Sequence, residues 1–444
     1  MRKIKYMFLL MTIIILIIPI ICFNFKADSI SKIDNRKLAD IPQKQAFDDY
    51  LKSWDTYLND RIGHRDTIIT QYTKLNDIFF HELIHPSYQY GKDGHIFRKL
   101  NQPFHDYEYM DSFMQTVVKL NHYCEQRNIP FLFVLNPGKD TIYPQYLPNG
   151  YNYINYRLDY LYKLLKLYNI PYVDNVGYLN EIAKKEQIFN VKYDAGHWND
   201  LGAYYGINHI LEALSEQFTN LSVNTPDMFL IGTKHASALP VSNFEIDEII
   251  PHYQLKDSVR MQFQSLNEEY KNIPLDDAHQ TFSYNFNRLS NNKLRGMYFQ
   301  GSYLNTRAEM LWPSVEECIN IHAYENVIDF DYYINLFQPD FVVFETVEYT
   351  VIDSYYNKQR MTEKSYQPAL DVAKAKRLEN KEIQIVKQGG FSRISVKSEK
   401  KDYAYMKMGN QVYDLFWDSE ENKYYVDVRN SMLAEDYEIW IMRK

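Results

Sequence analysis

Apolar positions set the first divisions of this chain. Residues 7–25 are uncharged and dominated by Ile, Leu and Phe, long enough as a helix to cross one bilayer. Beyond them Phe47, Tyr50, Leu51, Trp54, Tyr57 and Leu58 recur at three- and four-residue spacing. Ile68, Ile69, Tyr72, Leu75 and Ile78 do the same, so two amphipathic helices are predicted. Gly91, Lys92, Asp93 and Gly94 read as a turn, followed by a short strand at 95–97. From there apolar runs alternate with helical periods. Helices are predicted at 111–126, at 156–167 and from near Asp200, and strands at 130–135, 171–173, 297–299, 318–321 and 341–344. Short strands apolar on both faces and separated by helices predict a mostly parallel sheet covered on both sides. Residues 219–295 are polar and irregular and read as loops and lid-like insertions. After Gln388, Gly389 and Gly390 apolar residues alternate without a helical period, which predicts a small β module.

The expected divisions are a basic tip and apolar anchor at 1–25, an anchor-proximal helical segment at 26–85, a central α/β domain at 86–387 and a β-rich module at 388–444. Arg2, Lys3 and Lys5 precede the apolar run, which keeps the N-terminus cytoplasmic and places the rest outside. The run is long for a cleaved signal, and residues 20–24 offer no small-residue cleavage site, so an uncleaved single-pass anchor is expected. A net charge of −8 argues against nucleic acid as the main partner, because a binder must neutralise phosphates with clustered Lys and Arg. Only Cys124 and Cys318 lie beyond the anchor; they can pair, but two cysteines exclude a disulfide scaffold.

Four motifs carry candidate chemistry. His81, Glu82 and His85 match the zinc-protease pattern HExxH, but Pro86 pushes His85 away from helical geometry, so a polar helix end is expected and no metal site. Asp194 and His197, just before a helix, suit a carboxylate that orients an imidazole base; Trp198 can wall the ring. Gly301 and Ser302 follow an apolar strand and precede a helical run, which exposes the serine hydroxyl at an elbow, with Gly301 as a permissive backbone donor. In the loop after the 130–135 strand, Asn136 or the Gly138 N–H suits an oxyanion, and Lys139 and Tyr143 suit a substrate. A rigid Pro-rich connector explains that loop equally well.

Together these blocks resemble the AlgX/AlgJ/DHHW group of SGNH-hydrolase-like proteins, exported factors in O-acetylation of bacterial exopolysaccharides. The resemblance runs from about Asp60 to Tyr349. It includes Asp60 to Asp66, Gly91 to Phe97, Pro137 to Lys139 with Ile142 to Pro144, Asp194 to Trp198, Gly301 to Tyr303, and Pro339 to Glu345. It implies a three-layer α/β/α SGNH-hydrolase-like domain with Ser302 as nucleophile, His197 as base and Asp194 as its orienter. It further implies a cell-surface polysaccharide substrate, no cofactor, and a multi-spanning membrane acyltransferase that supplies the acyl group. Two positions depart from the group. Asp194 and His197 have two residues between them where the group usually has one, and Gly301 stands where the group's Gly-Asp-Ser block has its acid. An esterase of the same polymer and a non-catalytic glycan-binding partner of an acetylation complex are the alternative readings.

Overall fold

The computed structural model describes the chain except residues 1, 28, 32–35, 45–46, 86, 100–105, 152–154, 241–243, 276–281, 380–382, 398, 401–402, 435 and 444. Three helices come first: α1 (Arg2–Ile21), α2 (Phe47–Arg61) and α3 (Arg65–Phe80). Within α1 the stretch Lys3–Ile21 is long and apolar enough to cross a membrane.

The central domain opens with the paired strands β1 (Tyr88–Tyr90) and β2 (Ile96–Arg98), then α4 (Tyr107–Glu125), β3 (Phe131–Asn136), α5 (Tyr156–Leu167), β4 (Tyr172–Asp174), α6 (Asn175–Ala183) and α7 (Asp200–Ser215). The remaining elements are β5 (Phe229–Ala238), β6 (Glu245–Leu255), β7 (Phe263–Ser265), β8 (Ser283–Asn287), β9 (Arg295–Gln300), β10 (Glu317–His322), α8 (Phe330–Phe337) and β11 (Phe341–Val347). Seven strands form one sheet in the order β4-β3-β11-β9-β10-β8-β7. The five from β4 to β10 run parallel, and β8 and β7 add antiparallel at one edge.

The pattern of the inner strands explains the layering. β3, β10 and β11 are buried at every position, as continuous apolar runs require when both faces are covered. Phe131, Phe133, Met297, Phe299, Val342 and Phe344 face α4, α5 and α8. Leu132, Val134, Tyr298, Phe341 and Val343 face the opposite way, into a core that includes α6 and α7 residues such as Leu179 and Ile207. The fold is therefore α/β/α with a mostly parallel sheet. Cys124 belongs to the first core and Cys318 to the second; both are free and buried, so they do not pair.

Residues 219–295 depart from the expected loops. They hold the long hairpin β5–β6 and the two edge strands β7 and β8. β5 exposes six successive residues, which leaves it without the apolar alternation that a sequence pattern needs.

The C-terminal part is two four-stranded antiparallel sheets. With β12 (Ala375–Leu378), β13 (Ile383–Lys387), β14 (Phe391–Lys397), β15 (Tyr403–Met408), β16 (Gln411–Asp414), β17 (Phe416–Asp418), β18 (Lys423–Arg429) and β19 (Tyr437–Met442), the orders are β12-β19-β15-β16 and β13-β14-β18-β17. Buried charge joins this part to the α/β domain. Arg127 donates to both oxygens of the Asp414 carboxylate at 2.9 and 3.0 Å, and the Tyr123 hydroxyl donates at 2.7 Å. Asn335 on α8 exchanges two hydrogen bonds with the Asp414 backbone. Asp414→Ala leaves the largely covered Arg127 guanidinium without its carboxylate and removes the acceptor of the buried Tyr123 hydroxyl, and is expected to cost about 3 kcal/mol. A urea unfolding midpoint close to wild type would contradict that.

Candidate active site

The parallel strands bring their carboxyl ends to one edge, and the candidate residues come from those ends. β9 ends at Gln300, Gly301 turns with φ −82° and ψ −177°, and Ser302 opens a single helical turn, Ser302–Asn305. A carboxylate holds the turn from beneath. Gly301 N–H donates to Glu345 Oε2 at 2.5 Å, and Asn136 Nδ2 donates to Glu345 Oε1 at 2.5 Å. Asn136 Oδ1 accepts in turn from Asn175 at 2.7 Å. A Cβ at position 301 would stand 3.2 Å from Glu345 Oε2. An acidic side chain there would meet a buried carboxylate, which is a physical reason for glycine.

Asp194 and His197 form a close pair. His197 Nδ1 lies 2.6 Å from Asp194 Oδ1. Asp194 has φ +48°, a left-handed conformation that Asp tolerates better than most residues. Burial works to raise its pKa, but the charge and hydrogen bond of His197, with Arg307 and Lys139 nearby, hold the carboxyl below the usual range. The loop around the pair is gripped on several sides. The Glu248 carboxylate on β6 accepts the N–H groups of Val191, Lys192 and Tyr193 at 2.6, 2.9 and 2.6 Å. The Tyr349 hydroxyl donates to the Gly196 carbonyl at 2.8 Å. Asn199 then caps α7 by accepting from Gly202 N–H at 2.9 Å.

Trp198 and Tyr303 lock the two motifs together. The Trp198 indole N–H donates to the Tyr303 carbonyl at 3.1 Å, and the Tyr303 ring stands 5.4 Å from the His197 ring. Trp198 is fully buried over Gly206, where a Cβ would reach within 2.4 Å of the indole. Trp198, which follows His197, thus binds Tyr303, which follows Ser302.

The loop after β3 is held by contacts within the fold. Lys139 Nζ donates to the Ile96 carbonyl at 2.7 Å and the Val191 carbonyl at 2.8 Å, inside the fold. Burial pulls its pKa down to about 7. Tyr143 is buried and its hydroxyl accepts from Ile188 N–H at 3.2 Å. Gly138 N–H donates to Glu348 Oε1 at 2.7 Å. These groups anchor the loop that carries Asp194 and the β3 turn, and none of these contacts aims at a substrate. Likewise the N–H groups of Gly301 and Gly138 and the Asn136 amide are engaged by the buried carboxylates of Glu345 and Glu348 rather than held open for an oxyanion. The HExxH residues are not on one helical face. α3 ends at Phe80, His81 is left-handed at φ +52°, and His85 Nδ1 accepts from Ser87 and Tyr88 N–H. Pro86 itself lies outside the described residues.

Three site residues escaped the sequence reading. Glu345 and Glu348 sit at the end of an apolar strand, and an acid inside a buried run was the available signal. Tyr324, buried after β10, lies beside Ser302, whose polar groups work against the upward push of burial on the tyrosine's pKa. Burial pushes its own pKa up, so it stays protonated.

No protein-family model and no curated protein matches the chain by sequence. Solved structures resemble it. The chain is similar to PatB1 of Bacillus cereus, at 16% identity and a TM-score of 0.47, over 59% of this chain and 95% of that one. It is similar to the O-acetyltransferase domain of Pseudomonas putida AlgJ at 14% identity and a TM-score of 0.44, over 63% of this chain and 98% of that one. A DHHW family protein from Eubacterium siraeum matches at 15% identity and a TM-score of 0.43, over 62% of this chain and 95% of that one. AlgJ and the DHHW protein belong to the group whose sequence blocks this chain resembles.

Burial raises the Glu345 pKa from 4.5 to about 7, against the hydrogen bonds from Gly301 and Asn136. The folded chain therefore holds a proton there that the unfolded chain releases between pH 4.5 and 7, and stability attributable to Glu345 falls as pH rises through that window. Glu345→Gln is expected to flatten that slope, whatever its constant offset. Denaturant titrations at pH 5, 6, 7 and 8 read it directly; an unchanged slope would show that Glu345 is ionised throughout.

Proposed function

We propose that the chain is a membrane-anchored, extracytoplasmic O-acyltransferase, with acetyl as the group transferred and a cell-envelope polysaccharide as acceptor. The observation that carries this reading is the hydrogen-bonded Asp194–His197 pair locked, through Trp198 and Tyr303, to the turn that presents Ser302. Asp194 holds the proton on His197 Nδ1 and leaves Nε2 as the base. Ser302 Oγ bonds to the acyl carbonyl carbon while its proton passes to Nε2; collapse of the tetrahedral intermediate expels the donor's oxygen, which takes that proton. A sugar hydroxyl then gives its proton to Nε2 and attacks the acyl-serine, and Ser302 leaves with the proton restored. The Ser302 N–H, at the first position of the helical turn, is the proposed oxyanion donor, with the neighbouring Tyr324 hydroxyl as a second.

The proposed anchor is the apolar run of α1, with the basic residues Arg2, Lys3 and Lys5 at its start on the cytoplasmic side. A single such helix makes no passage for an acyl donor, so a multi-spanning membrane acyltransferase is the proposed supplier. Hydrolysis uses the same chemistry with water in place of the sugar, and one experiment separates the two.

Incubating the full chain with a chromogenic acetyl ester and an oligosaccharide tests both reactions. Ser302→Ala and His197→Ala should each reduce turnover by at least about 1,000-fold, and the double variant by little more, because the members act as a unit. Asp194→Asn should keep the fold and lose about 10⁴-fold by favouring the wrong tautomer. Acetyl recovered on the oligosaccharide supports transfer; acetate alone supports the esterase. Wild-type turnover in the single variants would leave a non-catalytic glycan-binding role.

A further inference from the structure

α3 is amphipathic the wrong way round for a water-facing helix. Asp66, Thr70, Thr73 and Asp77 recur at i, i+4, i+7 and i+11 on the less exposed face, with Thr73 buried and the other three half-buried. Asp66 accepts from the Ser31 hydroxyl at 3.1 Å, the Thr73 hydroxyl donates to the Ile84 carbonyl at 2.9 Å, and Asp77 accepts from the Tyr90 hydroxyl at 2.6 Å. Ile68, Tyr72, Leu75 and Phe79 have the same spacing on the opposite face. They are exposed to 47%, 55%, 52% and 72%. α2 repeats the pattern on a smaller scale, with Phe47, Leu51 and Leu58 exposed in one stripe. Contiguous apolar faces of this kind mark interaction surfaces.

Their position says what covers them. The turn between α2 and α3 is joined to the end of α1. Gly63 N–H donates to the Pro19 carbonyl at 2.8 Å, and Asn24 N–H donates to the Arg61 carbonyl at 2.8 Å. The Arg61 guanidinium, buried, donates to the carbonyls of Asn24 and Lys26 at 3.1 and 2.6 Å. A Cβ at residue 63 would stand 2.4 Å from the Cys22 carbonyl, so the approach is as close as glycine allows. α3 therefore starts where the membrane-length helix stops.

We infer that the Ile68, Tyr72, Leu75 and Phe79 face of α3 lies in the outer membrane–water interface, so that α3 is a second, interfacial contact that holds the α/β domain against the lipid surface. The inference rests on α1 crossing the membrane, which is part of the proposed function. The occupant is lipid because the face continues from the point where α1 leaves the bilayer, and because interfacial helices bury such stripes to the depth of the headgroup–acyl boundary. A domain held in this way can rotate about α1 only by pulling four apolar side chains into water.

The experiment uses the full chain in phosphatidylcholine vesicles. In a Cys22→Ser background the remaining Cys124 and Cys318 are buried, so single cysteines can be labelled with an environment-sensitive fluorophore. Leu75→Cys and Phe79→Cys report on the outward stripe, Thr67→Cys and Lys74→Cys on the exposed rim of the same helix, and Ile14→Cys on α1. Spin-labelled lipids should quench the labels at 75 and 79 at least about threefold more than those at 67 and 74. Equal quenching at all four α3 positions, with strong quenching at 14, overturns the interfacial helix and leaves the anchor standing. A label at 14 that lipid does not quench means α1 does not cross, and the inference falls with it. All substitutions on α3 are at exposed positions, and unchanged circular dichroism confirms the fold in each.

Discussion

One buried carboxylate organises the centre of this molecule. Glu345 lies at the end of a strand in the middle of the sheet, between β3 and β9, and holds a side-chain amide from one neighbour and a backbone N–H from the other. Carboxylates are costly to bury, and this one is tolerated because two donors face it and because its pKa rises to about 7. The geometry of the serine turn follows from it. Gly301 must present its N–H downward to Glu345, which turns Ser302 up onto the first position of the helical turn. The two loops on either side use the same device: Glu348 takes Gly138 N–H, and Glu248 takes three N–H groups in the run before Asp194.

This device recasts the role of several polar groups. Asn136, Gly138 and Gly301 are donors at the carboxyl edge of the sheet, the place where a ligand is expected, but they support the backbone there. Lys139 does the same from the other side, spanning the carbonyls of Ile96 and Val191. Tyr324 instead lies beside Ser302 itself.

The periodic parts of the sequence were the legible ones. Doubly buried strands such as Phe131–Asn136 and Phe341–Val347 announce a covered parallel sheet, and Asp194 with His197 announces a pair because both lie at the mouth of a helix. The hairpin and edge strands between residues 229 and 287 did not show, because β5 presents exposed residues at most positions and β7 is three residues long. The strands Ala375–Leu378 and Ile383–Lys387 lie before Gly389, in a stretch whose exposed, mixed residues give no alternation. Glu345 and Tyr324 were hidden for a different reason. Their importance comes from what stands opposite them in space, and Glu345 meets a residue 209 positions away.

That separation has a consequence for the order of events in folding. Asp194, His197 and Ser302 all precede β11 in the chain, and β11 is the strand that fits between β3 and β9. Closing so long a loop is slow and must precede the contacts that reward it. A chain truncated before Phe341 would carry every candidate reacting group and lack the strand that spaces them. The turn that presents Ser302 is in this sense complete only once its last central strand has brought Glu345 beneath Gly301.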